Sequence, residues 1–232
     1  MSLNNVSLSF CTGEFTVIAG ANGSGKTTLL RHFNGLLFPE SGTVSVNGRS
    51  VKKDPIAARR QIGMVFQDAD SQIVGDTVYD DVSFGPENLR LERDQIDQRV
   101  HQALSDVNLG GFEDRSPHNL SGGEKRRLAI AGVLAMAPRV LLMDEPFSNL
   151  DYPATCTVLG QVLKLHQAGH TIIITTHDLE KVIAHAQRLV VMEKGRVVQD
   201  GLPGDVVSGV ERYGIRQPCS VQLGQGIRSW VN

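Results

Sequence analysis

Short apolar runs bounded by turn residues recur along the chain. Phe15-Thr16-Val17-Ile18-Ala19, Ile62-Gly63-Met64-Val65-Phe66, Val140-Leu141-Leu142-Met143, Thr171 to Thr175 and Leu189-Val190-Val191-Met192 all read as buried strands. Between them the period changes. Ile96, Val100, Leu104 and Val107 recur at helical spacing in a polar background, and an apolar stripe of Leu128, Ala129, Leu134 and Ala135 follows the charged patch Glu124-Lys125-Arg126-Arg127. The pattern places one helix start beyond Ser121 with a stop at Pro138, and further helices from about Pro153 to Ala168 and Leu179 to Ala186. Two hairpins are predicted, one turning at Asn47-Gly48 after Thr43 to Val46, the other at Lys194-Gly195 before Val197-Val198. Val6, Leu8 and Phe10 alternate with Ser7 and Ser9, the pattern of a half-exposed strand that places Phe10 in the core. Strands alternating with helices give an α/β fold, with a helical lobe from Thr77 to near Pro117 and an antiparallel element beside the main sheet. Beyond Asp200 the text is punctuated by Gly and Pro and carries no firm period.

A chain of 232 residues accommodates one large α/β domain, with or without an inserted lobe. With 41% hydrophobic residues and a net charge of -2, it has neither the composition of a disordered chain nor a basic footprint for nucleic acid. No apolar run is long enough to cross a bilayer and no secretory leader is expected, so a membrane role would be exercised through a partner. Cys11, Cys156 and Cys219 are odd in number and widely spaced, which fits reduced thiols in a cytosol and gives none of them a catalytic assignment.

Chemistry enters at Gly20-Ala21-Asn22-Gly23-Ser24-Gly25-Lys26-Thr27, which follows a strand, opens a helix and fits the phosphate loop. Its glycines let backbone N–H groups turn toward phosphate, and Asn22 to Thr28 would cradle the triphosphate. Lys26 would reach the β- and γ-phosphates and Thr27 would bind Mg²⁺. Asp144 and Glu145 end an apolar strand, where open α/β sheets hold their ligands. Asp144 suits the Mg²⁺ shell, and Glu145 suits the orientation or deprotonation of an attacking water. His177 also ends a strand; it is either a γ-phosphate sensor or a solvated surface histidine. Gln67 stands at a strand end, where functional loops begin. Ser121-Gly122-Gly123 opens another helix, either as a simple cap or as a second anion site. In the second case, each nucleotide would lie between the Lys26 loop of one subunit and the Ser121 turn of another.

Taken together, these segments resemble the ATP-binding cassette family over nearly the whole chain. The phosphate loop, Gln67, Leu120-Ser121-Gly122-Gly123-Glu124, Leu141 to Pro146, Ser148-Asn149-Leu150-Asp151 and Thr176-His177-Asp178 occur in the family's order. The resemblance implies a RecA-like P-loop NTPase core with a mostly parallel sheet, and a helical subdomain inserted at about residues 77–137. It also implies that Gln67 joins Mg²⁺ and the attacking water, that Asp151 belongs to a loop crossing a dimer interface, and that His177 is the switch histidine. Val65 to Ile73 and Thr77 to Pro86 are similar to ATPases of energy-coupling-factor importers, including cobalt and nickel types. The resemblance then implies ATP hydrolysis with Mg²⁺ at the cytoplasmic face of the membrane. Expected partners are a second ATPase subunit, a membrane coupling protein and a small substrate-binding membrane protein; no nucleic acid is expected. Relatives usually carry an earlier strand and an adenine-stacking aromatic residue, for which this chain starts too late, and residues 201–232 form a short tail. A soluble cassette ATPase of DNA repair or translation and another transporter class are the alternatives.

Overall fold

The computed structural model describes residues 3–231. The first half of the chain runs β1 (Phe15–Ala19), α1 (Lys26–Phe33), β2 (Ser45–Val46), β3 (Arg49–Ser50), α2 (Pro55–Gln61), β4 (Ile62–Val65), α3 (Val78–Asn88) and α4 (Arg93–Asp106). It continues with α5 (Gly122–Leu134), β5 (Val140–Asp144), α6 (Tyr152–Gln167), β6 (Thr171–Thr176), β7 (Arg188–Glu193), β8 (Arg196–Gly201), α7 (Pro203–Val206) and α8 (Cys219–Gln222). Six strands form one sheet in the order β4-β5-β6-β1-β7-β8, and only β8 runs antiparallel to its neighbour. β2 and β3 pair as a separate hairpin through Asn47-Gly48.

The five parallel strands are mostly apolar and almost wholly buried because helices cover both faces of the sheet. Val17, Leu141, Met143, Ile172 and Ile174 face one core, whereas Ile18, Leu142, Ile173, Val190 and Met192 face the other. The first core extends into α3, α4 and α5 through Val82, Val100, Leu104 and Leu128, so the helical lobe shares its packing with the sheet. Arg127 reinforces this join by donating from Nη1 to Val107 O (2.9 Å) and Asn108 O (2.8 Å) just past the end of α4, where the macrodipole favours a cation. Among the described residues, no helix is long and apolar enough to cross a membrane.

Two predicted elements are corrected. Residues 6–10 alternate in burial as expected, but the segment pairs with no strand. Val6, Leu8 and Phe10 instead lie against the second core, with Phe10 edge-on to Phe33 at 5.3 Å. Leu179 to Ala186 is not an α-helix; it forms turns and a short 3-10 segment, Ile183–His185. Tertiary contacts hold its start: the backbones of Asp178 and Arg216 form an isolated parallel β-bridge, and Glu180 Oε2 accepts from Cys219 N at 2.7 Å. The tail returns across the body, and Trp230 meets Tyr152 edge-on at 5.0 Å beside the start of α6.

Candidate active site

β1 delivers the chain to a tight loop whose shape depends on glycine. Gly23 (φ 78°) and Gly25 (φ 108°) are left-handed, and Gly25 begins α1 without a side-chain cap. At Gly20 an added Cβ would lie 2.6 Å from Met192 O, so the loop sits directly on the sheet. Lys26 is buried and folds back over this loop. Its ammonium donates to Gly20 O (2.6 Å) and Ala21 O (3.3 Å) and lies 3.6 Å from Glu145 Oε1. Burial lowers the Lys26 pKa, and the adjacent Glu145 carboxylate opposes that shift. The Ser24 hydroxyl is buried without a hydrogen-bond partner.

At the end of β5, Asp144 and Glu145 are both buried, and Thr175 on the neighbouring strand organises them. Thr175 Oγ1 donates to Asp144 Oδ1 at 2.5 Å, while Glu145 N donates to Thr175 O (3.1 Å) and Oγ1 (3.2 Å). Glu145 has φ 47°, a left-handed conformation unfavourable for a residue with a Cβ. His177 follows β6 and meets Glu145 Oε1 through Nδ1 at 2.9 Å. Because a carboxylate only accepts, Nδ1 carries the proton. One carboxylate oxygen thus faces an ammonium and an imidazole N–H together.

Asn22 to Thr28, Gln67 and Glu145 line a common cleft of about 370 Å³. Asp144 and His177 do not line it; Asp144 precedes Glu145 in the chain, and His177 is tied to the cleft through the Glu145 carboxylate. Ser121, Gly122 and Gly123 do not line this cleft. The Ser121 hydroxyl accepts from Glu124 N at 3.3 Å while Glu124 Oε2 accepts from Ser121 N at 2.7 Å, closing a capping box on α5. Gly123 packs close to α6, where an added Cβ would lie 2.7 Å from Ala154 Cβ. A broader depression of about 540 Å³ lies at the opposite end of the strands, but its Arg188 is already paired with Asp200 at 2.7 Å and Glu14 at 3.7 Å.

Sequence reading missed Arg126 by placing it in a charged patch. It is only 4% exposed and donates to the carbonyls of Phe66 and Gln67. The available signal was helical spacing, since Ala129, Ile130 and Val133 follow it at i+3, i+4 and i+7 and all are buried.

Residues 3–148 match the family model described as ABC transporter. A Halobacterium salinarum protein named as an ABC transporter ATP-binding protein is 50% identical over 218 residues, covering 94% of each chain. The energy-coupling factor transporter ATP-binding protein EcfA2 of Methanospirillum hungatei is 44% identical over 234 residues, an alignment covering 98% of this chain and 59% of that longer protein. Among solved structures, cbiO1 from Clostridium perfringens, described as part of the ABC transporter complex cbiONQ, superposes with a TM-score of 0.83 at 37% identity. That match covers 97% of this chain and 92% of the other.

Proposed function

The chain belongs to the ABC transporter family of ATPases, and we propose that its cleft hydrolyses MgATP through Glu145 to drive an importer of the energy-coupling-factor type. The observation that carries the assignment of Glu145 is the meeting of Lys26 and His177 on Glu145 Oε1 at the edge of the phosphate loop. Without nucleotide, the lysine balances the carboxylate. A triphosphate offers Lys26 a stronger partner, and the exchange releases Glu145 to polarise water. Lys26 then stabilises charge developing on the transferred phosphoryl group, while His177 bonds a γ-phosphate oxygen.

The residues fit this substrate. The buried Ser24 hydroxyl lacks a partner, and the uncapped start of α1 offers backbone N–H groups to an anion. Thr27, Gln67 and Asp144 would hold Mg²⁺; a set with one carboxylate suits an ion that shares its shell with substrate phosphates and water. When bound, Mg²⁺ supplies charge neutralisation across the phosphates.

A second ATPase subunit would complete each site with Ser121, Gly122 and Gly123. A membrane coupling protein would hold the pair at the cytoplasmic face, and a substrate-binding membrane protein would present a vitamin or transition-metal ion. The names of the relatives favour transport over DNA repair or translation. Phosphate release by the full chain tests the chemistry. Glu145→Gln should lower turnover at least about a hundredfold while ATP binding persists, because the amide keeps the side chain's shape but is no base. Near-normal turnover in that variant would refute the role.

A further inference from the structure

We propose that Arg126 is a positioning residue for hydrolysis, its guanidinium fixing the backbone of Phe66 and Gln67 against α5 so that Gln67 meets the cleft from a rigid support. Nη1 donates to Phe66 O at 2.6 Å and Nη2 to Gln67 O at 2.5 Å, so one planar fork holds two consecutive carbonyls. Among the described residues Arg126 forms no ion pair, and its Nε is buried without a partner. Burying the guanidinium is costly, and the Asp68 and Asp144 carboxylates offset that cost only from beyond ion-pair distance, so simple adhesion between loop and helix would be better served by apolar packing. The guanidinium instead aims one terminal donor at the carbonyl of Gln67, which lines the cleft, and the other at the carbonyl of the residue before it.

Neighbouring contacts serve the same join. Gln72 accepts from Phe66 N at 2.9 Å and donates to Ala129 O at 3.4 Å, while Lys125 reaches Asp70 at 2.5 Å. The first two turns of α5 therefore hold the segment from Phe66 to Gln72. Ser121 caps that helix, so the support of Gln67 and the Ser121 turn belong to one element.

The proposal rests on the ATPase reading, and its test combines turnover with a measurement made without nucleotide. In the full chain, Arg126→Met should lower kcat at least about tenfold and leave KM for ATP within about twofold, because the loss is one of positioning. Arg126→Lys, which keeps the charge but not the fork, should give an intermediate kcat. Should the Met variant fail to fold, the Lys variant still decides. Without nucleotide, its amides at residues 66–72 should exchange hydrogen at least about threefold faster than wild type, with β5 unchanged. Gln67→Ala combined with Arg126→Lys should be no more than about twofold slower than Gln67→Ala alone, since both act on one loop. The proposal is overturned by wild-type kcat in folded Arg126→Met, by unchanged exchange at residues 66–72 in Arg126→Lys, or by losses that multiply in the double variant.

Discussion

Glu145 holds its carboxylate on a backbone that glutamate seldom adopts, at a cost of order 1 kcal/mol or more. The conformation persists because Thr175 accepts its N–H through both the carbonyl and the hydroxyl, aiming the side chain back toward Lys26. Ser24 presents the complementary case, a buried group kept without a partner. Replacing Ser24 with Ala should leave the nucleotide-free melting temperature unchanged or slightly raised, yet weaken ATP by about 1 kcal/mol, the net worth of one hydrogen bond. Calorimetric titration beside a thermal melt checks this; a lower melting temperature with unaltered ATP affinity would refute it. Lys26→Ala should weaken ATP binding much further, because it removes a charge-assisted contact. The loop around both residues was readable in the sequence because its partners are close, with Lys26 bonding to carbonyls five and six residues back. The Arg126 and Thr175 contacts span 60 and 30 residues, so no local spacing announces them.

Among the elements, those with a covered apolar face were legible and those that depend on distant partners were not. β1, β4, β5, β6 and β7 follow their apolar runs because burial on both faces leaves no other reading. Residues 6–10 have the alternation of a strand without a ladder, and the segment after His177 has helical spacing at Leu179, Val182 and Ile183 without an α-helix. Periodicity records which side chains turn inward: Leu179, Val182 and Ile183 are buried, and Val6, Leu8 and Phe10 are half-buried on the expected side. The approach to α3 shows another long-range fit. Gly75 lies so close to the helix backbone that an added Cβ would be 2.2 Å from Asp81 N, and Asp81 Oδ1 accepts from Val74 N (2.7 Å) and Gly75 N (3.1 Å). Asp81→Ala should cost about 1–2 kcal/mol in denaturant unfolding by orphaning those donors, whereas Asp81→Asn keeps an acceptor and should cost less. Burial raises the Asp81 pKa, and the two N–H bonds oppose the rise. The folded protein therefore holds this proton more tightly than the unfolded chain, so its contribution to stability is full below the unfolded value and declines as pH rises through the folded one. Stability measured in steps upward from about pH 4 should show that decline in the wild type and lose it in Asp81→Asn.

For the molecule as a whole, the Ser121 turn lies outside the cleft that Lys26 and Glu145 line, so the proposed composite site requires a second subunit. ATP should bring two copies or two related chains together, most visibly in Glu145→Gln, where hydrolysis no longer reverses the pairing. Light scattering should then report a doubled mass, and a pair carrying Lys26→Ala in one chain and Ser121→Arg in the other should retain at most one intact site. A mass that stays monomeric with ATP and the membrane partner present would refute the shared site. Trp230 rests on Tyr152, immediately beyond Asp151 at the cap of α6, and it is the chain's single tryptophan. The protein thus contains its own fluorophore beside the loop expected to meet the second subunit. Emission from Trp230 should change in colour or intensity when ATP is added to Glu145→Gln, remain flat when Lys26→Ala is added to that variant, and vanish in Trp230→Phe, so assembly can be followed optically without an attached dye.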